Sequence, residues 1–508
     1  MTARFVYTRV DSLPPLAWCA RIRRGSEDVA VSHGEWVETH ETFFFEGAWN
    51  GDFAAAQPST ASECFGSGGE RTPTGVSFVT PTHMLERIQM VAVGDDLFVS
   101  NSLPFLLAAT KDGMDPKHKF YHFELMSNMK GYRAYRESVR TRLGRQVRLF
   151  FHCNVLVRPD LSVDAGPKSL PPAFQTYDQY LGFLRTMVGA VAANARDARR
   201  FKAFTPLASI SSGYDSPACA LLAREVGATE AVTFGKARPG YDEEDDSGGD
   251  IAAHIGLSVL EFDRLEYRSM ETVPEAEFLA NGTGGEEVVF APLERVLPGT
   301  LFFTGYLGDA VWNRVTQRVN TELLMLYPGG SSLGEFRLRV GFVHFPVPTA
   351  GYIRHPSIHA ISNSAVMRPW TLGNDYDRPI PRRMLEEIGV SRTSFGRTKK
   401  AITQPLWYNE RLDRLMAPRS YESFAQFVST IPLFDGPLDA ARFRCMRLLY
   451  EINLRVNWRL ERWAKRVGMH AGQRVLVPER YSQDLSESAL TFHWGLDRTM
   501  SRYAGVKV

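Results

Sequence analysis

Short apolar runs bounded by turn residues fill the first third of the chain. ETFFFEGAW (41–49), DDLFVSNS (95–102) and QVRLFFHCNVLV (146–157) are separated by Gly, Pro, Ser and Asp clusters, so residues 1–157 read as mostly β. RPDLSVDAGPKSLPPAF (158–174) is rich in Pro and Gly and reads as a linker. Beyond it the pattern alternates. PLASIS (206–211), EAVTF (230–234), LSVLEFD (257–263) and TLFFTG (300–305) predict strands, with helices at SPACALLAREVG (216–227) and DIAAHIG (250–256). Strands alternating with helices predict an α/β fold with a doubly wound parallel sheet, where ligands bind at the carboxyl ends of the strands. Late in the chain, ARFRCMRLLYEINLRVNWRLERWAKRVG (441–468) has apolar residues near helical spacing and arginines on the opposite side. That pattern would suit a membrane surface or an acidic partner; the expected arrangement packs its apolar face on the core and turns the arginines outward.

At 508 residues the chain is long for one core, so two domains are expected, 1–165 and 166–508. Hydrophobic residues make up 44% and charged residues 23%, the balance of a soluble globular protein. A net charge of +2 is too mild to predict a nucleic-acid partner. No apolar run approaches the roughly 18 residues of a membrane span, and the first residues lack the apolar centre of a signal peptide. Five scattered cysteines form no CxxC pair, so a disulfide framework and a cysteine zinc site are not expected, and a reducing cytoplasm is the expected compartment.

Candidate chemistry sits at two of the strand ends. In ASISSGYDSPACALLAREVG (208–227) an apolar run stops at Ser211-Ser212-Gly213, and a helix follows. A helix N-terminus offers unpaired N–H groups and partial positive charge, which suits a phosphate. Asp215 at that terminus can cap the helix or hold a divalent cation. On these residues alone, a well-capped strand-to-helix turn explains the loop as well as a nucleotide site does. YDEEDDSGGD (241–250) lacks EF-hand spacing, and His355 and His359 of HPSIH are only two ligands, so neither predicts a metal site.

SSGYDS resembles the SGGxDS pyrophosphate loop of the ATP pyrophosphatase (PP-loop) fold, with Ser212 at the first glycine position. FFTGYLGDAVW (302–312) is similar to the second phosphate and metal loop of asparagine synthetases, with Thr304, Gly305, Gly308 and Asp309 in matching places. Between the loops, the order of strand, acidic loop with an Asp246-Ser247 step, helix and strand follows the same family. Tyr306 stands where asparagine synthetases carry an acidic residue, and resembles the Thr-Gly-Tyr step of β-lactam synthetases. Ala310 replaces a glutamate of the former group. FGRTKKAITQPLW (395–407) is similar to the late Arg-x-Lys segment of the family, with Arg397 and Lys399 in register and Lys400 one step out. The N-terminal half resembles a worn glutaminase domain of the N-terminal-nucleophile (Ntn) hydrolase type, a β-rich sandwich. Its second residue is Thr2 where the family has a nucleophilic cysteine, and no glutamine-binding stretch is found.

The resemblance implies an ATP-dependent ligase that adenylates a carboxylate, releases pyrophosphate and lets an amine or ammonia displace AMP. It implies ATP and Mg2+ as cofactors. Asp215 and Asp309 would hold the metal, Ile210, Ser211, Ser212 and Gly213 with Ser216 and Gly305 would surround the phosphates, and Thr233, Phe234 and Gly235 would border the base. Tyr306 with Glu335 would handle the amine's proton, and Lys399 the developing charge. The expected partners are a small carboxylate and an amine, without glutaminase activity, and a homo-oligomer stays open. Two other readings remain: a non-catalytic scaffold descended from such a ligase, and a PP-loop enzyme that adenylates tRNA.

Overall fold

The alternating short strands of the first half fold into two sheets packed face to face. A computed structural model describes residues 3–238, 245–395, 400–406, 411–432, 434–466, 476–478, 481 and 488–508. The strands of the first half are β1 (Arg4–Arg9), β2 (Trp18–Arg23), β3 (Asp28–His33), β4 (Glu38–Thr39), β5 (Phe43–Trp49), β6 (Cys64–Thr72), β7 (Gly75–Val79), β8 (Ile88–Val93), β9 (Asp96–Ser100), β10 (Ser138–Arg140), β11 (Gln146–Phe150), β12 (Cys153–Val157) and β13 (Val163–Pro167). One sheet has the order β1-β3-β2-β9-β8-β11-β10 and the other β13-β12-β7-β6-β5-β4. Their inner faces interdigitate: Trp18 of β2 stacks on Phe78 of β7 at 6.0 Å and meets Phe44 of β5 edge-on at 5.0 Å.

Two expectations change here. QVRLFFHCNVLV is two strands, β11 and β12, that belong to different sheets. The chain turns between them at His152, whose φ of 49° lies in the left-handed region. The stretch 158–174 is not all linker, because residues 163–167 are β13, paired antiparallel with β12. That sheet therefore runs two residues beyond position 165.

The second half is mixed α/β around a parallel sheet of β14 (Thr205–Ser209), β15 (Glu230–Phe234), β16 (Ser258–Phe262), β17 (Thr300–Thr304) and β18 (Val343–Pro346). Its order, β16-β15-β14-β17-β18, reverses at β14, so the crevice beyond the ends of β14 and β17 is a topological switch point. The helix Asp215–Glu225 leaves that crevice and buries Ala218, Cys219 and Leu222. The two halves share one apolar core, with Phe65 of β6 lying 4.3 Å from Phe345 of β18, ring centre to ring centre. Among the described residues no helix is long and apolar enough to cross a membrane.

Polar groups are also buried at this junction. Glu63 accepts from Gly351 N (2.9 Å) and Thr82 Oγ1 (3.0 Å), and burial pushes its carboxyl up to about 7. A carboxyl whose folded pKa is raised binds its proton more tightly folded than unfolded. It stabilises the fold fully below its ordinary value of 4.5, and that contribution is lost as pH rises through about 7. Wild-type stability relative to Glu63→Gln should therefore fall between pH 4.5 and 7, by at most about 1.4 kcal/mol per pH unit. Urea unfolding of both proteins across that range checks it; a flat or rising difference contradicts it.

Candidate functional site

The ends of β14, β15 and β17 open into one cavity of about 650 Å³, the size of a nucleotide-scale ligand site. The loop after β14 and the loop after β17 form adjacent walls. They can approach because Gly305 and Gly308 carry no side chain. A Cβ on Gly308 would lie 2.3 Å from Asp215 Cγ, and one on Gly305 2.6 Å from Ser216 N. The second loop also places Leu307 at a φ of 67°, a conformation costly for a branched side chain and typical of functional turns.

The first loop is braced from behind. Ser211 Oγ and Ser216 Oγ are 2.8 Å apart, Gly213 N donates to Ser211 Oγ (3.2 Å), and Ser212 N donates to the Asp246 carbonyl (3.1 Å). Ser212 Oγ donates to Asp246 Oδ1 (2.9 Å), so the Asp246-Ser247 step is a brace for the loop. Ser212 needs no left-handed backbone, which explains how serine fits where the resemblance has glycine. The amides of Ile210, Ser212 and Gly213 are bonded within the protein, Ile210 N to the Val232 carbonyl at 2.9 Å. In the helix's first turn Pro217 carries no N–H and Ala218 N donates to the Tyr214 carbonyl (3.2 Å), so the amide placed to meet an anion is that of Ser216, beside Gly305.

Of the expected site residues, Ile210, Ser211, Ser212, Gly213, Asp215, Ser216, Phe234, Gly305, Tyr306 and Asp309 line this cavity. Thr233 and Gly235 do not; Thr233 Oγ1 accepts from Gly248 N (3.0 Å) and the Gly235 carbonyl accepts from Asp246 N (3.2 Å), so both hold the bracing loop. At the apolar end, Phe234 stacks on Phe290 at 5.6 Å beside Val232, Ile402 and Pro405, a surface suited to a flat aromatic ring. Lys399 and Arg397 lie outside the described residues, as does Thr2. Lys400 lies in the cavity wall, its ammonium donating to Ser212 Oγ (3.1 Å) and to the Asp245 carbonyl.

Glu335 is not brought to Tyr306. It is buried where Tyr503 Oη donates to its Oε2 (2.7 Å), and ties the chain's last turn to the helix Gly334–Val340. The carboxylate beside Tyr306 is Glu287, hydrogen-bonded to it and also accepting from Gly330 N (2.7 Å), Ser332 N (3.0 Å) and Ser332 Oγ. Burial and the Glu287 charge push the Tyr306 phenol well up, and burial pushes Glu287 up despite the hydrogen bonds it accepts. The signal for Glu287 was its place in GGEEVVF, where two adjacent acids enter an apolar run. Behind Tyr306, Thr304 Oγ1 lies 2.8 Å from His344 Nε2, and burial pushes that imidazole down to about 3, so it is neutral.

A second residue missed in the sequence is Arg378. Its guanidinium forms an ion pair with Asp215, lies 4.7 Å from the Tyr376 ring centre and feels the Asp309 charge. Among the described residues no group of three His, Cys, Asp or Glu could hold a metal alone. Magnesium, however, uses one or two carboxylates together with phosphate oxygens and water. Asp215 and Asp309 on the two adjacent walls, both felt by the Arg378 charge, fit that mode provided Arg378 yields Asp215.

The tight approach gives a direct prediction. Gly308→Ala should displace the Asp215 carboxylate and so weaken at least tenfold the binding of ATP, the ligand proposed below for this cavity. Gly249→Ala, where a Cβ meets only Ser247 Oγ at 3.4 Å, should leave it unchanged. Equal affinity of the two variants in an equilibrium titration contradicts this assignment. No known protein-family model matches the chain, and neither does any curated protein sequence.

Proposed function

We propose that the chain is first a nucleotide-binding α/β protein of the ATP pyrophosphatase type. More particularly, we infer an ATP-dependent ligase that adenylates a carboxylate and lets an amine or ammonia displace AMP to form an amide. The observation that carries the reading is the meeting of the SSGYDS and TGYLGD loops around one cavity at a topological switch point. Asp215 and Asp309 supply carboxylates at the phosphate end, and Arg378 and Lys400 supply positive charge where pyrophosphate would gather it. Magnesium, when bound there, would neutralise the phosphates. The Tyr306–Glu287 pair is placed to take the amine's proton, with Glu287 as acceptor and Tyr306 as the hydrogen-bonded shuttle. The N-terminal sandwich is proposed to be a glutaminase-like domain without that activity, because the glutamine-binding stretches of that type are not found in it.

The experiment is release of AMP and pyrophosphate from ATP by the purified chain, against a panel of amino acids, acidic sugars and small dicarboxylates. Formation that depends on one carboxylate and disappears in Asp215→Ala and Asp309→Ala supports the ligase. Tight binding of ATP with no turnover on any acid supports a scaffold instead.

A further inference from the structure

The helix Pro437–Arg466 departs from the expected packing. Phe443, Met446, Tyr450, Asn453 and Ala464 form the face turned to the protein, with Phe443 against Tyr481 at 5.6 Å. The apolar residues Leu449, Ile452, Val456, Leu460 and Trp463 lie on another stripe and are 44%, 46%, 49%, 50% and 61% exposed. Their steps of three and four residues make a seam about a quarter of a turn from the packed face. The helix has 30 residues, so the seam is long enough for a helical partner.

Charge decides among occupants. Arg444, Arg455, Arg459 and Arg462 are exposed along one flank of the seam. The acid nearest them, Glu451, is engaged by Arg447 (3.2 Å) and Arg455 (3.9 Å). A second copy would bring the same arginine-rich flank and no exposed acidic edge to meet it. Leu448, Leu454 and Trp458 are also exposed off the seam (58%, 48% and 58%), Trp458 under the Arg462 guanidinium at 4.4 Å, so an anionic lipid surface is the competing occupant, and vesicle binding without peptide binding separates the two. A narrow amphipathic helix with acids along its matching edge satisfies both features. We infer that this seam docks an acidic amphipathic helix of another protein.

The probe is a labelled synthetic four-heptad peptide with Leu and Ile at its core positions and Glu at the flanking ones, titrated by fluorescence anisotropy with the full-length chain. The same peptide with Lys at the flanks is the control. The Glu peptide should bind at least tenfold more tightly than the Lys peptide, and more weakly in high salt. Ile452→Glu with Val456→Glu should abolish binding. Arg455→Glu with Arg459→Glu should reverse the preference towards the Lys peptide. All substitutions are on exposed positions, and unchanged thermal unfolding confirms the fold. No binding of either peptide, or equal binding of both, overturns the inference. So does co-sedimentation with phosphatidylserine vesicles without peptide binding, or a dimer in sedimentation analysis that Ile452→Glu dissociates. None of these readouts uses ATP, so failure here leaves the proposed ligase reading untouched.

Discussion

Arg337→Ala is expected to cost about 3–5 kcal/mol of stability, the largest single effect in the molecule. Arg337 is buried and bridges Glu46 (2.6 Å) on β5 and Glu86 (2.8 Å), both on the N-terminal side, from the helix Gly334–Val340 on the other. Glu46 also accepts from Ser67 N (3.1 Å), Ser67 Oγ (2.9 Å) and Asn101 Nδ2 (3.3 Å), so its position is held from several directions. Removing the guanidinium leaves two carboxylates in a low-dielectric junction without their counter-ion, and the cost is that of stranding them. The distinguishing variant replaces all three charges: Arg337→Met with Glu46→Gln and Glu86→Gln should regain most of the loss. Equilibrium urea unfolding measures both. A loss below about 1 kcal/mol for Arg337→Ala would mean that water reaches the cluster and screens it.

Asp215→Asn is expected to lower carboxylate-dependent AMP formation by about 10²–10³, the range for deleting one preorganised electrostatic group. The substitution keeps the shape of the side chain but removes its charge, so the tight fit against Gly308 survives while the carboxylate is lost as a metal ligand. Asp309→Asn should behave alike, because both aspartates line the cavity and both act on the Arg378 charge. The two differ in stability. Asp215 pairs with buried Arg378, so its neutralisation strands a guanidinium, and unfolding should show the greater loss for Asp215→Asn. Turnover within about threefold of wild type in either variant removes that aspartate from the phosphate end.

The parallel sheet was readable because β14 and β15 each pair a short apolar run with a turn and a helical period, β16 and β17 are apolar runs of the same length, and such patterns are properties of neighbouring residues. The fifth strand, β18, was not, since VHFP has only four residues and follows the helix Gly334–Val340, which carries Glu335, Arg337 and Arg339. The charges there proved to be interior: Glu335 and Arg337 are buried because partners distant in sequence, Tyr503, Glu46 and Glu86, meet them. The same reason hid Glu287 and Arg378, whose roles depend on contacts with Tyr306 and Asp215. A glutamate before an arginine-rich helix looked placed for Tyr306, yet chain order alone cannot say which acid folds against a given phenol. The seam on Pro437–Arg466 shows the converse. Its period was visible, but which of its faces meets the core depends on the rest of the protein.

The central claim is that the cavity between the two loops holds ATP. Calorimetric titration of ATP into the purified full-length chain with excess Mg2+ tests it most directly. One site with a dissociation constant on the order of 1–100 μM, weakened at least tenfold in both Asp215→Asn and Gly308→Ala, is the predicted result. No binding up to millimolar ATP, or binding that neither variant changes, contradicts it.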